Sequence, residues 1–342
     1  MGKALYFMLL AIPFSFYFKY NGNELLMFFM ACISIVPLAG IMGEATDNLA
    51  CYTGEKIGGL LNATFGNATE LLITLFALKE GLFAVVKASV AGSILGNILL
   101  VLGLSIIAGG FKNGRQSFDR IHVSNQTSLM FLSVIALIIP AVFFQGGKDI
   151  LAIKEFSLVV AFILFLMYFA GLWFSMQHDN KVCEFAETEG RWSKSKSILF
   201  LSGSTVLIAL ESELLVTGIE PVTTVLGWSQ FFIGIIIIPI IGNAAEHFTA
   251  VLMAVKNKMD LSFEIAIGSS AQIALLIMPI LIFASFLFGR PMSILFNYYE
   301  LVSVGLAVLI AQFISLDGES NWLEGFLLVG AYLIIAIAFF FV

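Results

Sequence analysis

Apolar runs recur from one end of this chain to the other, and no polar stretch between them is long enough for a separate soluble domain. Each run holds roughly 20 residues, enough to cross a hydrocarbon layer about 30 Å thick as a helix. The runs are continuous and do not alternate apolar with polar residues, which argues against a membrane β-barrel. Charged residues make up 12% of the 342 positions, against about a quarter in a soluble domain. Most of the surface must therefore face lipid. The fold class expected is an all-α integral membrane protein.

Eleven transmembrane helices are expected, over 4–20, 24–51, 58–78, 81–110, 125–145, 155–177, 197–218, 228–256, 261–289, 294–315 and 321–341. Met1 to Tyr20 has Lys3 and an apolar core, as a signal peptide does. It has no convincing small-residue cleavage site, and a first membrane helix is the better reading. Placing the N-terminus in the cytoplasm puts 11 of the 17 Lys and Arg residues on that side and 6 on the other, as the positive-inside rule prefers. The odd helix count then puts the C-terminus outside. Cys32, Cys51 and Cys183 lie far apart, with neither a disulfide framework nor zinc spacing. No basic tract points to nucleic acid.

Two pentapeptides stand out within the apolar runs: Gly66-Asn67-Ala68-Thr69-Glu70 and Gly242-Asn243-Ala244-Ala245-Glu246. They lie 176 residues apart, and the same offset relates Gly58 to Gly234 and Gly92-Ser93 to Gly268-Ser269. The motifs fall on the third and eighth expected helices. An odd separation of five turns the second copy upside down in the membrane, an arrangement of many secondary transporters with a midplane site. The expected layout is a first helix (1–22), a five-helix repeat (23–177), a polar cytoplasmic linker (178–196) and an inverted five-helix repeat (197–342).

Glu70 lies 12 residues past Gly58, which is on the order of 18 Å into the layer. A charge at that depth costs at least about 2.5 kcal/mol, and no Lys or Arg lies deep enough to pair with it. Two matched carboxylates therefore argue for a shared protein-lined cavity. Gly66 and Gly242 open the helices to a break at each Gly-Asn pair, and freed carbonyls are tolerated where they line a cavity. Asn67 and Asn243 add amide oxygens, and Ser93 and Ser269 add hydroxyls. Gln272 is expected to face the same space and contact Glu246, Asn243 or an ion, since a buried amide needs partners. Its counterpart at the repeat offset is Gly96, beside Asn97. Glu44 and Asp47 on one helix, and Glu211 and Glu213 on another, suggest a cation or proton path, although residues near helix ends also serve as caps. His247 is either a packing residue or a proton relay.

Carboxylates, amides, hydroxyls and carbonyls without thiolate make a hard-cation site, suited to Ca²⁺ or Mg²⁺. Two close carboxylates in a low-dielectric cavity cannot both remain ionised without a cation. Protons and a divalent cation then compete for the same oxygens, and with alternating access that competition makes an exchanger.

These stretches, with Thr249-Ala250-Val251, Lys256-Asn257-Lys258-Met259-Asp260-Leu261, Gly268-Ser269-Ser270-Ala271-Gln272 and the lead-in from Gly58 to Gly66, resemble the CAX-type calcium/proton antiporters of the calcium/cation antiporter superfamily. The resemblance implies exchange of Ca²⁺ for H⁺, no cofactor, and a cation and protons bound by Glu70 and Glu246. It matches Asn67, Asn243, Ser93, Ser269 and Gln272 to other pathway positions. Asp47 stands where the family often has Glu. The linker carries only Glu184, Glu187 and Glu189, not a long acidic stretch, which favours a prokaryotic inner membrane. Sodium-coupled or Mn²⁺-selective exchange, a passive cation channel and an intramembrane metal-dependent hydrolase are the competing readings. The last lacks a His-rich ligand set and a nucleophile constellation.

Overall fold

The computed structural model describes residues 3–53, 55–144, 150–178 and 192–341. The described chain is helical apart from short connections and one two-residue ribbon. In order the helices are α1 (Lys3–Met8), α2 (Ala11–Tyr20), α3 (Glu24–Thr53), α4 (Glu55–Phe65) and α5 (Ala68–Lys79). After these come α6 (Phe83–Asn113), α7 (Arg120–Phe143), α8 (Ile150–His178), α9 (Lys194–Thr217) and α10 (Ile219–Leu226). The remainder are α11 (Gln230–Gly242), α12 (Ala244–Val255), α13 (Met259–Leu287), α14 (Tyr298–Ile314) and α15 (Trp322–Phe340). Residues 179–191 of the expected linker, with Cys183 and the linker's three glutamates, lie outside the described residues.

Among the described residues, seven helices are long and apolar enough to cross a membrane, or eight if the pair α11 and α12, bent by 57°, counts as one span. The other three expected spans are interrupted or short. The first breaks after Met8 into α1 and α2. The third divides at Gly66-Asn67 into pieces of 11 and 12 residues. The tenth, α14, has only 17 residues.

Burial separates central from peripheral helices. The apolar window of α6 is 83% buried and that of α13 67%, whereas α8 and α15 reach only 22%. The peripheral helices turn residues such as Phe162, Leu166, Leu327 and Ile334 outward. That is the pattern for a lipid-facing surface, where burying apolar side chains against protein gains little over lipid contact. The most extensive pairing is α3 with α9, sealed by Leu38, Met42, Ala45, Leu201 and Ile208. α6 lies against α11, α12 and α15.

Connections at the ends hold α5 and α12. Asn113 and Gln116 donate side-chain hydrogen bonds to Ala254 O (3.2 and 2.9 Å), and Asn113 also reaches Val255 O (3.3 Å). These are last-turn carbonyls of α12, which have no partner inside the helix. Arg290 Nη1 does the same for α5, donating to Lys79 O at 2.9 Å. Gln116 and Ser117 form β1, paired antiparallel with β2 (Glu319–Ser320). The loop after α13 is fastened by Lys87 Nζ to Leu295 O (2.6 Å) and by Ile294 N to Ser157 Oγ (3.0 Å).

Candidate functional site

The two Gly-Asn pairs do break their helices. α4 stops at Phe65 and α5 starts at Ala68; α11 stops at Gly242 and α12 starts at Ala244. Asn67 and Asn243 stand at the two N-cap positions, and Glu70 and Glu246 fall in the first turns beyond. A helix N-terminus carries partial positive charge and unpaired N–H groups, which favour a carboxylate there. The halves before each break end in carbonyls, which favour a cation. Breaking both helices at this point thus turns favourable ends of both signs toward the carboxylates.

Glu70 is 2% exposed, and neither Oε1 nor Oε2 has a hydrogen-bond partner among the described residues. Its carboxylate rests against the backbone of Gly242. A Cβ on Gly242 would lie 3.0 Å from Glu70 Oε1 and 3.3 Å from both its Cδ and its Cγ. Glu246 is half-buried and close enough to Glu70 for their charges to repel. Asp47 in turn acts on Glu246, and Glu44 on Asp47. Asp47 is exposed and Glu44 half-buried.

Neutral groups link the two halves of the chain. Asn243 Nδ2 donates to Pro239 O at 2.9 Å and to Ser93 Oγ at 3.1 Å. Because a carbonyl can only accept, the Pro239 contact fixes which way the Asn243 amide points. Its Oδ1 then accepts from Asn97 Nδ2 at 3.3 Å, which turns Asn97 Oδ1 toward His247 Nε2 at 3.2 Å. An amide oxygen needs a donor, so Nε2 of His247 carries a proton. On the other side Asn67 Nδ2 donates to Gln272 Oε1 at 2.5 Å, and Asn67 Oδ1 is buried without a partner.

Gln272 therefore meets Asn67 rather than the expected Asn243 or Glu246. Ser93 and Ser269 are both buried, and Ser93 is tied to Asn243. Glu213 is exposed. Glu211 is fully buried and accepts from Ser15 Oγ at 2.8 Å across α2 and α9. Asn97 is the residue that the site list drawn from sequence missed. The dipeptide Gly96-Asn97 repeats the Gly-Asn of both breaks, a signal the sequence did carry. It begins a π-helical turn (Gly96–Val101), and two more, Glu264–Gly268 and Ile273–Ile277, flank Ser269 to Gln272 in α13. Such turns re-aim side chains within a helix and are frequent at functional sites.

Among the described residues, no three of His, Cys, Asp and Glu are grouped as metal ligands. The site offers two carboxylates surrounded by amide and hydroxyl oxygens. That donor set suits a hard cation that keeps part of its coordination from neutral oxygen.

Residues 23–177 and 196–341 match the pattern of the sodium/calcium exchanger protein family. The Ca(2+)/H(+) antiporter ChaA of Bacillus subtilis strain 168 is 45% identical over 323 residues, covering 92% of this chain and 92% of that protein. The Ca(2+)/H(+) antiporter of Aphanothece halophytica is 43% identical over 355 residues, covering 98% and 95%. The structure of native YfkE superposes with a TM-score of 0.88 at 41% identity, covering 99% of this chain and 100% of the other. The H+/Ca2+ exchanger CAX shares the fold, with a TM-score of 0.75 at 16% identity.

Proposed function

The chain belongs to the sodium/calcium exchanger protein family, and we propose that it is a secondary antiporter that exchanges Ca²⁺ for H⁺ across a membrane. The observation that carries this reading is the environment of Glu70: a buried carboxylate with two unpartnered oxygens, facing a second carboxylate across the break of another helix. A lone anion in that position is costly. It is stable when protonated or when it holds a cation, and those two states are the two halves of an exchange.

In this reading Glu70 and Glu246 bind the cation and the protons by turns. Asn67, Asn243, Ser93, Ser269 and Gln272 supply or hold the neutral oxygens. Ca²⁺ arriving from the cytoplasm displaces protons; after the protein opens to the other side, protons displace Ca²⁺. Two carboxylates allow two protons per ion. Eleven spans, with the segments 23–177 and 197–342 as inverted five-helix repeats, would bring the glutamates to one depth from opposite directions. The N-terminus is cytoplasmic and the C-terminus outside, and the membrane is a prokaryotic plasma membrane. Asp47 and Glu44 form the cytoplasmic approach to Glu246. Glu211, bonded to Ser15, lies off that approach.

The test is Ca²⁺ transport by purified protein in liposomes under imposed gradients. A pH gradient alone should drive uptake, and Glu70→Gln or Glu246→Gln should abolish it while the protein remains folded. Wild-type exchange by either variant would refute the assignment. Uptake that needs a sodium gradient would replace H⁺ with Na⁺ in it, and current without proton counterflow would indicate a channel.

A further inference from the structure

Glu211 is a buried carboxylate that the exchange at Glu70 and Glu246 does not use. It lies where α2, α3 and α9 meet. Ser15 Oγ of α2 stands 2.8 Å from Glu211 Oε1 and 2.7 Å from Ile12 O. Ser34 of α3 stands beside the same carboxylate, and its hydroxyl donates to Ala31 O at 2.9 Å. Ser15, Ser34 and Glu211 are all fully buried. The titratable group that faces Glu211 among the described residues is the Cys32 thiol of α3, which brings no positive charge. The one ion pair among the described residues, Arg115 with Glu319, is elsewhere on the surface. An ionised carboxylate inside a membrane helix bundle is costly, and it calls for a cation or a proton.

Counting hydrogens decides between them. A serine hydroxyl has one hydrogen and a backbone carbonyl has none to give. With an ionised Glu211, the Ser15 hydrogen must serve both Glu211 Oε1 and Ile12 O, and one of two short oxygen–oxygen contacts is left without a hydrogen. A proton on Glu211 removes the conflict. Ser15 then donates to Ile12 O, and Glu211 Oε1–H donates to Ser15 Oγ across the 2.8 Å contact. The Ser34 hydrogen is already spent on Ala31 O. The other carboxyl oxygen, Oε2, is buried without a partner, which costs less for the carbonyl of a neutral acid than for an anion.

We propose that Glu211 is a third proton-binding site, separate from the exchange site: a neutral acid whose O–H fastens α2 to α9 and whose proton stays in place while Ca²⁺ and H⁺ exchange at Glu70 and Glu246. Its permanence through exchange rests on the functional reading above; the bound proton itself rests on the contacts of Ser15 and Ser34. α2 lies outside the two expected repeats, and a carboxyl–hydroxyl bond joins it to the second of them without placing a charge in the membrane. Glu211 then adds nothing to the number of protons exchanged per ion.

Infrared absorption of the purified full chain reads this proton directly, because a protonated carboxylic acid has a carbonyl stretch that a carboxylate lacks. The difference spectrum between wild type and Glu211→Gln should contain one such band, lost in the variant. The band should persist when Ca²⁺ saturates the protein and Glu70 and Glu246 hold the ion. The Gln amide can donate to Ser15 Oγ as the acid does, so the variant should release as many protons on Ca²⁺ addition as the wild type. Equal absorption by wild type and variant would show Glu211 ionised and overturn the proposal. A Glu211 band that vanishes on Ca²⁺ addition, or reduced proton release by the variant, would also overturn it, by making Glu211 part of the exchange. If Glu211→Gln is not recovered folded, Ser15→Ala decides the matter. Without its acceptor, the acid should show a carbonyl stretch shifted to higher frequency, and an unshifted spectrum refutes the bond. Absence of Ca²⁺/H⁺ exchange in the wild type would instead refute the functional reading, with the Glu211 band still present.

Discussion

Replacing Gly242 with Ala tests whether the Glu70 carboxylate is held in place by the break in the opposite half. The new Cβ would lie 3.0 Å from Oε1 and 3.3 Å from Cδ and Cγ, while ordinary contact begins at 3.4 Å. The carboxylate must therefore retreat by about 0.4 Å, the difference between the first and last of these distances. Ca²⁺ sits about 2.4 Å from its carboxylate oxygens. Lengthening that distance to about 2.8 Å changes the attraction between charges of +2 and −1 by about 2 kcal/mol at an effective dielectric constant of about 20. That corresponds to a roughly 25-fold loss of affinity. It is the ceiling, reached when the whole shift adds to the ion–oxygen distance; a partly sideways shift leaves about fivefold. Titration calorimetry of Ca²⁺ into the purified protein measures it. Gly66→Ala is the contrast, because its Cβ would meet the backbone oxygen of Asn62 at 2.6 Å. Backbone cannot step aside as a side-chain end can, so that variant should lose thermal stability first. Unchanged Ca²⁺ affinity in folded Gly242→Ala would show that Glu70 is not positioned by Gly242, or that it does not bind the ion.

The two asparagines should fail differently. Asn67→Ala should lower Ca²⁺ affinity with a small change in melting temperature. Asn243→Ala strands Ser93, Asn97 and the Pro239 carbonyl and should cost about 2–4 kcal/mol of stability; equal thermal shifts in the two variants would contradict this. Protons and Ca²⁺ compete for the same two carboxylates, so Ca²⁺ affinity should fall as pH falls. A plot of log Kd against pH should approach a slope of about −2 where both carboxylates bind protons in the ion-free protein. Affinity independent of pH would remove the competition on which exchange depends.

The breaks, the paired carboxylates and the helical character were legible because each has a local signature: Gly-Asn in an apolar run, a charge without a countercharge, and uninterrupted hydropathy. The partners were not. That Gln272 would bond Asn67 and not Asn243 depends on how α13 is rotated against α5, and the π-helical turns at Glu264–Gly268 and Ile273–Ile277 change that rotation. Nothing in the spacing of apolar residues marks an extra residue in a turn. In the sequence Glu211 and Glu213 read as a second acidic cluster on a membrane helix, parallel to Glu44 and Asp47. Its burial against Ser15 comes from α2 folding back onto α9, 196 residues away in sequence. The offset of 176 relates Asn243 to Asn67, and the two amides are bonded unequally.

That inequality gives identical residues different work. The Asn243 amide is fully committed: Nδ2 to Pro239 O and Ser93 Oγ, Oδ1 to Asn97. It fastens the break in α11–α12 to α6. The Asn67 amide has one bond, through Nδ2 to Gln272, and its oxygen is buried and unclaimed. Glu70, one turn further on, adds two more unclaimed oxygens. Three orphan oxygens within one helical turn, each desolvated without compensation, form the part of the site where a cation gains most by binding.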